Sequence, residues 1–130
     1  MPTILIVDDE HDLLTAFGAV LRHEGYRVRT AATPDQALQV LASERPDLVL
    51  LDIKLGNLDQ TDGLDLLQEM RARLPHLKVV VVSAYLDLGT SRTALDLGAI
   101  DCWPKPVTMQ MLAERTAQVL AAPGLPPGAG

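Results

Sequence analysis

Three aspartates, a serine and a lysine stand where this 130-residue chain could do chemistry. Asp8 and Asp9 end "ILIVDD", Asp52 ends "LVLLD", Ser83 ends "VVVVS", and Lys105 lies in "CWPKP". Four separate aliphatic or strand-like stretches thus each deliver a polar group at the C-terminal end. If those ends meet, the carboxylates repel: two unit charges about 4 Å apart cost roughly 4 kcal/mol at an effective dielectric near 20. Such a cluster either raises its pKa values or takes up a cation. Oxygen-only ligands suit Mg²⁺, with Mn²⁺ as a substitute, held by one or two carboxylates, waters and a phosphate. Lys105 adds a second, fixed positive charge. The set suits phosphoryl transfer, with a carboxylate attacking in line and cations on the equatorial oxygens. Ser83 can hydrogen-bond the transferred group.

The elements that must position these residues alternate strictly. Short runs at 3–7, 27–31, 47–51, 78–82 and 99–103 read as strands. Helical periodicity marks about 10–24, 34–44, 62–73, 87–97 and 107–121, clearest where Leu13, Leu14, Phe17, Val20 and Leu21 share one face. Pro34 suits a first helical turn, and Gly25 and Gly98 follow helices as C-terminal caps do. This β-α alternation predicts an α/β fold: a doubly wound, five-stranded parallel sheet with five helices on two faces. Runs one, three and four are continuously apolar, as strands buried on both faces should be. "RVRTA" alternates, and the fifth run holds Asp101 and Pro104, so both suit edges. Strand order 2-1-3-4-5, the flavodoxin-like arrangement, satisfies this and places ligands at the carboxyl ends of the strands.

Composition narrows the function classes. Apolar residues make up 48% and charged residues 22%, a normal globular balance for one domain. A net charge of −6 argues against direct nucleic-acid binding, which needs a basic patch. The lone cysteine, Cys102, excludes an internal disulfide and fits a reducing compartment. No apolar run reaches membrane-spanning length and no signal-peptide pattern opens the chain, so the expectation is a cytoplasmic domain over 1–121. Residues 122–130, ending "GLPPGAG", read as a tail or the start of a linker. His11, His23 and His76 lack metal-ligand spacing.

At this point the chain resembles the receiver domain of bacterial two-component response regulators. "VDDE", "LVLLDI", "DGLDLL", "SA" and "GAIDCWPKP" recur in the family's order, with a 22-residue step from Ser83 to Lys105. The resemblance implies that Asp52 is the phosphoacceptor, taking its phosphoryl group from a histidine kinase or a phosphotransfer protein. It implies that Asp9, Asp52 and the backbone carbonyl of Lys54 bind Mg²⁺, with Asp8 acting through a metal-bound water. Ser83 and Lys105 would contact the phosphoryl group, and the Lys105–Pro106 peptide would be cis. The domain would be a monomer or a phosphorylation-dependent dimer. It would signal to an output domain or partner protein through its fourth helix, fifth strand and fifth helix.

Three departures from the family pattern stand out. The segment "IKLGNLDQT" after Asp52 is about three residues longer than usual, with Gly56 where proline is common. The switch position three residues before the lysine, usually Tyr or Phe, is Cys102, and the aromatic has moved to Trp103. Neighbouring strand residues point to opposite faces, so Trp103 cannot replace it. Lys54 and Tyr85 occupy variable positions flanking the site. Alternatives from other classes are a receiver that signals without phosphorylation and an aspartate-nucleophile phosphatase or dehalogenase. The second lacks an aspartate two residues after the nucleophile, where Lys54 stands. A flavodoxin-like electron carrier is disfavoured because the carboxylates would repel a flavin phosphate.

Overall fold

The computed structural model describes residues 1–53, 61–84 and 86–122, apart from the side chains of residues 61 and 62. The elements run β1 (Thr3–Val7), α1 (His11–His23), β2 (Arg27–Ala31), α2 (Pro34–Ser43), β3 (Leu48–Leu51), α3 (Thr61–Arg73), β4 (Lys78–Ser83), α4 (Leu88–Asp96), β5 (Asp101–Pro104) and α5 (Met109–Ala121). All four strand pairings are parallel and the order is β2-β1-β3-β4-β5, as the alternation predicts. Among the described residues no helix is long and apolar enough to cross a membrane.

Strand alternation divides the core into two layers. Ile4, Ile6, Leu48, Leu50, Val80, Val82 and Trp103 pack against Leu14 and Leu21 of α1 and Leu112 of α5. Leu5, Val7, Val49, Leu51, Val79 and Val81 face the opposite way, onto α2, α3 and α4. β1, β3 and β4 are therefore buried on both faces, which is why their sequences are apolar without interruption.

The fifth strand departs from expectation: it spans Asp101–Pro104 rather than 99–103. Of its first two expected residues, Ile100 still donates its N–H to Val79 O of β4, whereas Ala99 belongs to the closure of α4. Ala99 N–H donates to Ala94 O and Gly98 N–H to Leu95 O, a Schellman closure of α4 around Gly98 at φ 108°. The same device ends α1: Gly25, at φ 95°, donates to Arg22 O and Tyr26 to Leu21 O. α5 ends differently, with no basic residue in its own last turn. Lys78 reaches across from β4 and donates to the carbonyls of Val119, at 2.9 Å, and Ala122. A cation there complements the negative end of the helix dipole.

Gly63 holds α3 against the sheet. Its N–H donates to Ile53 O at 3.1 Å, and a Cβ built on it would overlap the backbone of Ile53. Only glycine lets the helix approach that closely beside Asp52. Gly63→Ala is expected to lower stability by about 1–3 kcal/mol through forced separation of α3 and β3. A reduced urea midpoint at unchanged slope is the measurement.

Candidate functional site

The sheet hydrogen bonds carry one residue past the strands and so align the polar groups. Asp8 N–H donates to Ala31 O, Asp52 N–H to Val7 O, and Lys105 N–H to Ser83 O. Each functional residue is thereby fixed against the end of a neighbouring strand. Asp8, Asp9 and Asp52 each bring a carboxylate oxygen within 4.8 Å of the others, with Asp8 and Asp52 buried and Asp9 exposed. Ser83 is fully buried at the end of β4. The Lys105 ammonium, only 12% exposed, donates to Asp8 Oδ2 at 2.7 Å and to Asp52 Oδ2 at 3.1 Å. All five sequence-predicted side chains therefore lie along one edge of the sheet. The Lys105–Pro106 peptide is cis.

Electrostatics follow from burial. Desolvation raises the Asp8 carboxyl above its ordinary range, and the hydrogen bonds from Lys105 and from Glu10 N–H offset this only in part. Burial works against the Lys105 ammonium, but its hydrogen bond to Asp8 and the Asp52 charge outweigh that penalty and raise its pKa. Lys105 is accordingly a permanent cation. Donor type and spacing fit a hard, oxygen-preferring cation: three carboxylates from two strand ends, among which the described residues place one ammonium.

Two acidic side chains at the start of α1 take parts that only the fold shows. Asp8 does not cap α1, because the N-cap residue is Glu10; Asp8 Oδ1 accepts Glu10 N–H at 2.9 Å, two residues on. Glu10 itself was not singled out, yet its Oε1 lies 3.5 Å from Lys105 Nζ. The signal was present as the third acid of "VDDE", one residue before a helix. His11, His23 and His76 are exposed. Lys54, Gly56 and Tyr85, and with them the longer segment after Asp52, lie outside the described residues.

The altered switch position is resolved by the strand pleat. Trp103 is 2% exposed on the α1/α5 side, where its Nε1 donates to Asp101 Oδ2 at 3.0 Å and Arg115 lies 5.9 Å from the ring centroid. Cys102 faces the other layer, its Sγ 3.9 Å from Ser91 O on α4. Burial and the Asp101 charge push the thiol pKa up, keeping it a protonated donor. The tryptophan thus fills a different face from the one the displaced aromatic would occupy.

Asp9→Asn should raise stability without divalent cation, by up to about 1 kcal/mol, since it removes one like charge at the surface. The same variant should lose most of the thermal shift caused by Mg²⁺, which for a bound ion amounts to about 1.4 kcal/mol at ten times its Kd. Protons also compete with a cation at Asp8. Because its folded pKa lies above 3.8, protonation begins at higher pH than for an ordinary aspartate. The Mg²⁺-dependent shift should therefore fade as pH falls toward the carboxylate range, beginning above the pH at which an ordinary aspartate takes up its proton. Without metal the sign reverses: ionising Asp8 disfavours the folded state, so its contribution improves as pH falls through its raised folded pKa. Melting curves across pH, with and without Mg²⁺, test both signs.

Comparison with known proteins adds independent findings. Residues 4–117 match the family model described as the response regulator receiver domain. The chain is similar to sporulation initiation phosphotransferase F of Bacillus subtilis, 33% identical over 117 residues, covering 90% of this chain and 92% of that protein. It is 38% identical over 117 residues to the alginate biosynthesis transcriptional regulatory protein AlgB of Pseudomonas aeruginosa, covering 90% of this chain. It spans only about a quarter of the length of that regulator and of the nitrogen assimilation regulator NtrX of Azorhizobium caulinodans. Among solved structures, a CheY-like receiver domain protein from Methanospirillum hungatei superposes with a TM-score of 0.86 at 34% identity, covering 92% of this chain and 94% of the other. The receiver domain of NtrX from Brucella abortus gives 0.83 at 36% identity, covering 92% and 99%.

Proposed function

This chain belongs to the response regulator receiver domain family, a family of signalling domains, and on that premise we propose that it is a phosphoacceptor switch with Asp52 as its acceptor. The observation that carries the reading is the Lys105 ammonium seated against both Asp8 and Asp52 in a cluster of three carboxylates. An ionised Asp52 needs no base. One of its oxygens forms a bond to phosphorus as the N–P bond of a phosphohistidine breaks, the electron pair leaving with the imidazole nitrogen. The donor is a histidine kinase or a phosphotransfer protein.

Asp9, Asp52 and the Lys54 carbonyl would hold Mg²⁺ or Mn²⁺, with Asp8 acting through a water. A bound cation supplies charge neutralisation for the carboxylates and for the transferred oxygens. Lys105 releases part of its hold on Asp52 to pair with the phosphoryl group, while Asp8 keeps the ammonium at the edge of the sheet. Ser83 donates its hydroxyl to a phosphoryl oxygen from the end of β4. Phosphorylation adds roughly −1.5 to −2 charges. The change is passed to partners through α4, β5 and α5, where Cys102 meets Ser91.

Incubation with acetyl phosphate and Mg²⁺ should add one phosphoryl group to the intact mass of the wild type. Asp52→Asn and a chelator should each abolish the gain. Failure of the wild type with both acetyl phosphate and a beryllofluoride mimic would sink this reading in favour of a module that signals without phosphorylation.

A further inference from the structure

Glu10 occupies the N-cap of α1, with φ −86° and ψ 108°, yet its side chain makes no capping hydrogen bond. Thr33, Asp87 and Thr108, the caps of α2, α4 and α5, all accept a backbone N–H from their helices. The Glu10 carboxylate instead stands 3.5 Å from Lys105 Nζ. It is 65% exposed, against 3% for Asp8 and 7% for Asp52, so it meets the ammonium from the solvent side. Glutamate carries one methylene more than aspartate, a length poorly suited to capping its own helix but sufficient to reach this neighbour.

We propose that Glu10 is a positioning residue, which draws the Lys105 ammonium toward the start of α1 and competes for it with a phosphoryl group on Asp52. The proposal rests on the reading of Asp52 as phosphoacceptor. Among the described residues Lys105 has three anionic partners before transfer: Asp8, Asp52 and Glu10. Asp8 also accepts the Glu10 backbone N–H, so the same residue steadies one partner of the lysine through its main chain and supplies another through its side chain. Loading Asp52 requires the ammonium to turn to the new oxygens. Each competing anion opposes that turn, and Glu10, the exposed one, opposes it without being buried in the site.

Glu10→Gln and Glu10→Asp separate position from charge. Gln keeps the length and removes the charge. Asp keeps the charge but is a favoured N-cap, so its carboxylate turns back onto the N–H groups of α1. The test is a beryllofluoride titration of the full chain in saturating Mg²⁺, followed by the thermal shift, with Asp52→Asn as the control for the site. Both variants are expected to bind about two- to fivefold tighter than wild type, the range an exposed ion pair can supply. The gain should shrink with added salt, and only Glu10→Asp should also be more stable without ligand. Equal or weaker binding by Glu10→Gln would overturn the proposal. Tighter binding by Gln with wild-type binding by Asp would overturn positioning, because charge alone would then suffice. Absence of beryllofluoride binding in the wild type would remove the Asp52 reading and the proposal with it, an outcome distinct from both others.

Discussion

The functional edge is governed by a charge imbalance: three carboxylates meet where the described residues bring one ammonium into contact. An isolated buried carboxylate is costly, and a buried ammonium equally so. Here each makes the other tolerable. Asp8 uses one oxygen on the Glu10 N–H and the other on Lys105, so its burial leaves neither oxygen without a donor. The lysine is in turn held ionised by its acidic neighbours. What remains is a surplus of negative charge, the condition under which a divalent cation binds oxygen ligands well.

Holding such a surplus together demands a stiff frame. The frame is the parallel ladder, continued by one residue beyond β1, β3 and β5 so that Asp8, Asp52 and Lys105 inherit the register of the sheet. Close packing then fixes the side of approach for the helices. Gly63 brings α3 onto the backbone next to Asp52, while the Schellman closures at Gly25 and Gly98 return the chain to the sheet in a few residues. Lys78 ties the end of α5 back to β4 on the far edge. These contacts lie outside the charge cluster, and they act whatever occupies the site.

Strand β5 is where this chain differs from its family's usual pattern. Cys102, opposite Val81 of β4, is a small side chain whose thiol meets a carbonyl of α4. The large aromatic volume sits one residue later, locked on the opposite face by Asp101, Arg115 and the α1/α5 layer. Close packing around so enclosed a side chain favours a single rotamer. On the α4 side of β5 the contact is made by the smaller group, through Ser91.

Patterning along the chain was enough to read the alternation of elements, the two edge strands and the order of the sheet, because hydrophobic periodicity and the handedness of β-α-β crossovers are local rules. It was also enough to name Asp8, Asp9, Asp52, Ser83 and Lys105, since a parallel sheet collects all its strand ends at one edge. Three things required the folded chain. The start of β5 was displaced because Ala99 bonds to α4 rather than to the sheet, a competition between partners that no window of sequence contains. The pairing of Lys105 with Asp8, 97 residues away, depends on strand register across β3 and β4. Glu10 is not legible as part of the site because an acid at the start of a helical stretch is ordinary, and only the position of Lys105 in space shows where its side chain turns. Local propensity determines what each segment becomes; which charges meet is decided by distances that exist only after the segments pack.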